Sequence, residues 1–229
     1  MITTILILII GIILLTICLN IKLKDIKKLK QISEDKELNK IVEKFPEDKQ
    51  ICKEILKQLE DENVTIEEDN DSKTSLYLVM QNKILIGKIN SFARIQTIAH
   101  ECAHSVQNKV VLKSNYIISN INNIFFIVLI ILRLLNIVNL KVGYILIIAF
   151  IVMQVINYII RSYLETEAMV KAEYVAKEYI EKSKITNETE NKKITNGYRE
   201  INKIGEKLYN YTLILKSVVK IIIAIILVH

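Results

Sequence analysis

Long blocks of apolar residues limit the folds that are open to this chain. Each block approaches the roughly 20 residues that an α-helix needs to cross a hydrocarbon core about 30 Å thick. The blocks are residues 2–19, 123–138, 142–160 and 208–228. Lys216 and Lys220 interrupt the last block, which is either a transmembrane helix or an interfacial helix with both lysines on its polar side. We predict a mainly α membrane protein with about four transmembrane helices.

The distribution of basic residues predicts how these helices are oriented. The first block has no basic residue before it, whereas KLKDIKKLK, residues 22–30, follows it directly. Lysine and arginine in short loops stay on the cytoplasmic side. The block also lacks a basic leader and a small-x-small cleavage site, so we expect an uncleaved anchor. The predicted location is the cell membrane, with several spans and the active site facing the cytoplasm.

This topology divides the chain into five parts. They are an anchor (1–19), a cytoplasmic domain (20–115), a transmembrane hairpin (116–160), a cytoplasmic helix with a polar loop (161–207) and a transmembrane or interfacial helix (208–229). In the first cytoplasmic part, residues 47–60 have helical periodicity, and SLYLVM and KILIGK form a predicted β-hairpin. In the second, a helix over 162–182 precedes a polar, mobile loop, SKITNETENKKITNG. We therefore expect a small cytoplasmic α+β domain.

The net charge indicates which partners the chain can bind, and the cysteine content indicates whether it forms disulfides. The net charge of +6 is expected to face anionic lipid, because no basic patch with interleaved aromatic residues suggests nucleic acid. Cys18 lies in a predicted span, and Cys52 and Cys102 would face the reducing cytosol. The three cysteines therefore predict no disulfide framework, and we interpret them as small apolar residues.

Two of the three histidines occur in TIAHECAHSV, residues 97–106. Residues four apart share a helix face, so the imidazoles of His100 and His104 can bind one metal ion. Glu101 stands where a general base could reach a metal-bound water, as in the HExxH pattern of zinc peptidases. The alternative is a polar helix face that carries two incidental histidines.

The surrounding residues favour the metal site. On the wheel of a helix over residues 89–107, His104 lies about 40° from His100 and Gln107 about 20° to the other side. The opposite arc is apolar and carries Ile95, Ile98, Ala99, Cys102 and Val106. This helix is therefore expected to pack through one face and to present both histidines on the other.

A catalytic zinc needs a third protein ligand. His229 would lie across the membrane in this topology, so we expect a carboxylate. Glu165 is centred on an apolar stripe of the 162–182 helix formed by Ala168, Met169, Ala172, Ala176 and Tyr179. A carboxylate on a packing face is costly unless it is paired, and zinc would remove that cost. The alternatives are a buried salt bridge or a protonated Glu165. Three other glutamates fall on the solvated side: Glu167, Glu178 and Glu181.

The predicted membrane hairpin returns the chain to the side from which it left. His104 and Glu165 can then meet although they are far apart in sequence. A helix running unbroken from His104 into the second span would lift the histidine about 20 Å above the membrane. We therefore expect residues 108–115 to bend or fold back.

The motifs AHECAHSVQ, residues 99–107, and ETEAMVKA, residues 165–172, carry a family resemblance. With the spans in this order, nearly the whole chain resembles the bacterial membrane-bound neutral zinc metallopeptidases. More distantly it is similar to the integral-membrane gluzincin peptidases, in which the first glutamate of E-x-x-A-D is the third zinc ligand. The resemblance implies a zincin-like domain, Zn²⁺ as cofactor and Glu165 as the matching ligand.

The sequence thus predicts a membrane-anchored zinc metallopeptidase, with an endopeptidase the expected type. Zn²⁺ would bind His100, His104 and Glu165, and Glu101 would activate the water. The partners would be a protein or peptide substrate, including membrane-associated ones, and the lipid bilayer. The alternative is a non-catalytic metal-binding scaffold or pseudoprotease. Tyr174, Tyr198 and Arg199 are candidates for stabilising an oxyanion, although packing or surface roles are the better interpretation of each.

Overall fold

The computed structural model describes residues 2–89 and 91–228. The elements within this part of the chain are α1 (Ile2–Cys18), α2 (Leu23–Ser33), α3 (Lys36–Val42), α4 (Asp48–Gln58), β1 (Thr65–Asp69), β2 (Leu76–Leu78), β3 (Lys83–Gly87), α5 (Arg94–Ser105), α6 (Lys109–Leu134), α7 (Leu140–Ser183) and α8 (Glu188–Val228). They form two compact units. The first combines residues up to Lys22, Ser114–Tyr163 and the chain from Lys207 onward; the second combines Leu23–Lys113 and Leu164–Glu206.

Within the described residues, three helices are long and apolar enough to cross a membrane. They lie in α6, α7 and α8, in agreement with a mainly helical membrane protein. The described part of α1 has 17 residues and is shorter than these three. The predicted number of four spans therefore stays a prediction, as does the choice between a spanning and an interfacial last helix.

Aromatic stacking and buried amides join the helices of the first unit. The ring of Phe150 stacks on Phe125 and Phe126, with centroids 5.9 and 5.5 Å apart. The Nε2 of Gln154 donates to Oδ1 of Asn122 at 3.2 Å, and both side chains are buried. Interhelical amide bonds of this kind stabilise helix pairs where water cannot satisfy the polar groups.

The second unit contains a three-stranded sheet among its described residues, with the order β1-β3-β2. The predicted hairpin is confirmed, because β2 and β3 pair antiparallel with Tyr77 opposite Ile84. Asn82 ends its turn at φ 47°, a left-handed conformation that asparagine tolerates better than most residues. β1 pairs parallel to β3, with Thr65 opposite Lys83. The sheet buries Ile84 and Ile86.

Helices α4 and α5 pack through the apolar faces that the sequence predicts. The side chains buried on them include Ile51, Cys52, Ile55 and Leu56 from α4, and Ile95, Ile98, Ala99 and Cys102 from α5. The Sγ atoms of Cys52 and Cys102 are 3.6 Å apart as free thiols. Burial raises the pKa of the Cys102 thiol. Both thiols thus act as small apolar residues, as predicted.

Two predictions about chain breaks need correction. The loop predicted over residues 183–197 is wrong, because α8 already begins at Glu188. Asn187 and Glu190 bond each other's backbone N–H, which is a capping box that starts a helix. The bend expected within residues 108–115 lies at residues 106–108, at the start of that stretch. Helix α5 ends at Ser105, α6 begins at Lys109, and Asn108 caps α6 by accepting from two backbone N–H groups.

Arg94 ties the first turn of α5 to the end of α3. Its guanidinium donates to the carbonyls of Val42, Phe45 and Pro46 at 2.8–3.0 Å and to Asp48 at 2.5 Å. We expect Arg94→Met to destabilise the second unit by about 2–4 kcal/mol, because three backbone carbonyls and the carboxylate of Asp48, which is 20% exposed, lose their partner. Thermal unfolding in detergent measures the change.

Arg199→Met is the matched control for this prediction. Arg199 also pairs with a carboxylate, that of Glu173, but its side chain is 67% exposed. An exposed pair contributes at most about 1 kcal/mol. Equal effects of the two substitutions would show that the contacts of Arg94 do not hold these elements together.

Candidate metal centre

Helices α5 and α7 bring the three predicted ligands together in the second unit. The Nε2 atoms of His100 and His104 are 3.2 Å apart, and their rings stand at 82° to each other. Oε2 of Glu165 lies 3.4 Å from Nε2 of His100 and 3.8 Å from Nε2 of His104. The three side chains are only partly exposed, by 19%, 12% and 20%. One solvent-reachable point is thus surrounded by two nitrogens and one oxygen.

These distances fit a metal ion. Ligand atoms about 2.0–2.2 Å from a tetrahedral centre are separated by about 3.3–3.6 Å. The observed separations of 3.2, 3.4 and 3.8 Å lie close to these values. An ordinary hydrogen bond from an imidazole to a carboxylate would be nearer 2.8 Å. His100, His104 and Glu165 therefore form a group that could hold a metal ion, as their positions in the sequence predicted.

Glu101 lies beside this group on a buried part of α5. Its side chain is 7% exposed, and its Oε2 accepts from the backbone N–H of Tyr77 in β2 at 2.6 Å. Lys109 donates to the hydroxyl of Tyr77 at 2.7 Å, and that hydroxyl donates to Asn82 at 2.7 Å. The strand that holds the carboxylate is therefore itself anchored at both its backbone and its side chain.

The ionisable groups of the site shift one another. Burial would raise the pKa of Glu165, but the His100 and His104 imidazoles hold it well below its usual value. Burial would lower the pKa of His104, yet the carboxylate of Glu165 raises it. Burial raises the pKa of Glu101, against the opposing effect of the two imidazoles and the Tyr77 N–H. Such mutual shifts are typical of functional clusters.

The remaining candidates separate into surface and packing residues. Glu178 and Glu181 are exposed, as predicted, and so is Glu167. Tyr198 is fully buried and donates its hydroxyl to the carbonyl of Phe92 at 2.9 Å, so it is a packing residue. Tyr174 is 69% exposed. His229 lies outside the described residues.

Two contacts at the site were not predicted. Exposed Glu167 accepts from Nε2 of Gln107 at 2.9 Å, so one of its oxygens is bound rather than fully solvated. Tyr77 holds Glu101 through a backbone group, which no side-chain pattern reveals. The position of Gln107 on the histidine face of the helical wheel was the available signal for the first contact.

Comparisons of this chain with family models, with curated proteins and with solved structures find no match. The resemblance suggested by the two motifs therefore stays a prediction. The candidate site rests on its own geometry.

Proposed function

We propose that this protein is a membrane-anchored zinc metallopeptidase that hydrolyses peptide bonds at the cytoplasmic membrane surface. The observation that carries the proposal is the position of Glu101. It adjoins two imidazoles and a carboxylate whose ligand atoms lie 3.2–3.8 Å apart. A structural metal site would need no further carboxylate next to its ligands, whereas a hydrolytic site needs a base.

The donor set supports zinc as the metal. Three protein ligands with a position left for water are typical of catalytic zinc, and a pair of histidines with one glutamate is a known combination. The same donors also suit other first-row metals such as Fe²⁺. The HExxH spacing and Glu101 favour hydrolysis, and hence zinc, over redox chemistry.

The residues of the chain would divide the reaction between them. Bound zinc would lower the pKa of a coordinated water to about 7 and polarise the substrate carbonyl. Glu101 takes one proton as the water oxygen forms its bond to the carbonyl carbon. It then delivers that proton to the nitrogen as the C–N bond breaks, which leaves a carboxylic acid and an amine. The acid gives its remaining proton to the amine, so the products are a carboxylate and an ammonium ion. The Tyr77 N–H keeps the carboxylate of Glu101 in place during the transfer.

Strand β2 offers a place for the substrate. Among the described strands it pairs only with β3. The N–H of Tyr77 already donates to Glu101, so an extended peptide would pair with the backbone groups that flank Tyr77. Pairing at a sheet edge recognises the peptide backbone and tolerates many side chains. An extended segment of an unfolded protein fits this edge better than a compact folded domain does.

The purified protein in detergent, incubated with zinc and a denatured protein, tests the proposal. We expect cleavage that a chelator abolishes and that added zinc restores. A metal-binding scaffold would retain zinc and yield no new peptide termini. Stoichiometric zinc without any cleavage of unfolded substrates would therefore favour the scaffold and contradict the proposal.

A further inference from the structure

Gln107 makes three hydrogen bonds at the metal centre. Its Oε1 lies 2.7 Å from Nδ1 of His104. Its Nε2 donates to the carbonyl of Leu164 at 2.7 Å and to Oε2 of Glu167 at 2.9 Å. The side chain is 5% exposed. The side-chain amide of Gln107 thus connects the ring of His104 to the backbone carbonyl of Leu164, the residue directly before Glu165.

These partners determine how the amide and the imidazole are oriented. A carbonyl and a carboxylate can only accept, so both hydrogens of the Gln107 amide nitrogen are used. The amide oxygen must then face Nδ1 of His104, and it can only accept. Nδ1 therefore carries the hydrogen of the neutral ring. The lone pair is left on Nε2, the atom that faces His100 and Glu165.

The end of α5 makes this contact possible. The helix stops at Ser105, and the backbone N–H of Gln107 donates to the carbonyl of His104 at 3.2 Å. The side chain can then reach both the histidine three residues earlier and the start of the second-unit part of α7. The interruption between α5 and α6 is thus also part of the metal centre.

We propose that Gln107 is a positioning residue, which holds His104 in its metal-binding tautomer and aligns it with Glu165. The inference rests on the proposed function, since it assumes that the centre binds zinc. Groups that bond the outer nitrogen of a ligating histidine commonly contribute about 10–100-fold to metal affinity. The alternative is that Gln107 only stabilises the fold by joining α5 to α7.

Two substitutions at this position distinguish the roles. Gln107→Met keeps the size of the side chain and removes all three hydrogen bonds. Gln107→Glu keeps an acceptor for the Nδ1 hydrogen but loses both donated bonds, and it places a carboxylate near Glu167. For each variant, competition with a chromophoric chelator measures zinc affinity, and unfolding of the metal-free protein measures stability.

We expect Gln107→Met to lower zinc affinity by about 10–100-fold and Gln107→Glu to lower it less. We expect the opposite order for stability, because the glutamate variant adds charge repulsion to the lost bonds. Gln58→Met is the matched control. Gln58 also donates to a glutamate on α7, Glu178, at 2.7 Å, but neither residue is close in sequence to a proposed metal ligand. Its zinc affinity should equal that of the wild type.

The outcomes separate this inference from the proposed function. Wild-type affinity in Gln107→Met, or equally weak binding by both Gln107 variants, would overturn the positioning role while leaving the zinc site intact. Absence of stoichiometric zinc from the wild-type protein would instead overturn the proposed function, and the inference with it. Affinity that tracks stability across all variants would show that Gln107 serves the fold alone.

Discussion

Substitution of Glu101 by glutamine should abolish peptide hydrolysis and leave the metal in place. Glutamine has the same shape, and its Oε1 can still accept from the Tyr77 N–H, which the carboxylate accepts at 2.6 Å. The glutamine side chain cannot accept and release a proton, which is the role that we propose for Glu101. General base catalysis contributes about 10²–10⁴-fold, so we expect the rate of cleavage to fall by at least that factor.

Zinc content and cleavage rate, measured on the same preparations, check this prediction. Glu178→Gln is a suitable control, because Glu178 is an exposed glutamate on α7 that contacts Lys182 and Gln58. It should cleave at the wild-type rate. Equal cleavage by wild type and Glu101→Gln would rule out Glu101 as the base.

Substitution of Glu165 by alanine should remove stoichiometric zinc. The two imidazoles would remain 3.2 Å apart on α5, but two neutral ligands neither complete the coordination nor balance the charge of the ion. The loss of zinc affinity should exceed the roughly 10–100-fold loss that follows removal of a group that only hydrogen-bonds to a metal ligand. Metal analysis after dialysis against a weak chelator measures it.

Two other glutamates of α7 serve as controls for this result. Glu181 is 53% exposed and pairs with Lys177, so Glu181→Ala should keep full zinc content. Glu167→Ala should also keep stoichiometric zinc, with a modest loss of affinity because Gln107 loses one acceptor. Matching zinc content in the Glu165 and Glu181 variants would remove Glu165 from the site.

Periodicity made the principal features of the site predictable from sequence. The four-residue spacing of His100 and His104 and the apolar back of their helix follow from 3.6 residues per turn. The apolar stripe around Glu165 identified it in the same way, and Ala168 and Ala172 are buried beside it. Such patterns are local, so a single helix expresses them whatever surrounds it.

Features that depend on particular partners were harder to predict. The parallel pairing of β1 with β3 involves residues 18 apart, and nothing in β1 itself specifies it. The sequence N-E-T-E, residues 187–190, does indicate the early start of α8, because its Asn187 and Glu190 form the capping box. The polar composition of the surrounding residues instead favoured a loop. The helical wheel placed Gln107 on the histidine face, but it could not show the partners of Gln107 on α7. Tyr77 acts through its backbone N–H, which leaves no periodic signal.

X-ray absorption at the zinc edge of the loaded protein tests the central claim most directly, because it counts the atoms around the metal. We predict three to four nitrogen or oxygen neighbours at about 2.0–2.2 Å, with imidazole scattering from two rings. The nearby thiols of Cys52 and Cys102 should not contribute, since they face each other in the core. Sulfur neighbours at about 2.3 Å, or scattering from fewer than two imidazoles, would contradict a centre built from His100, His104 and Glu165.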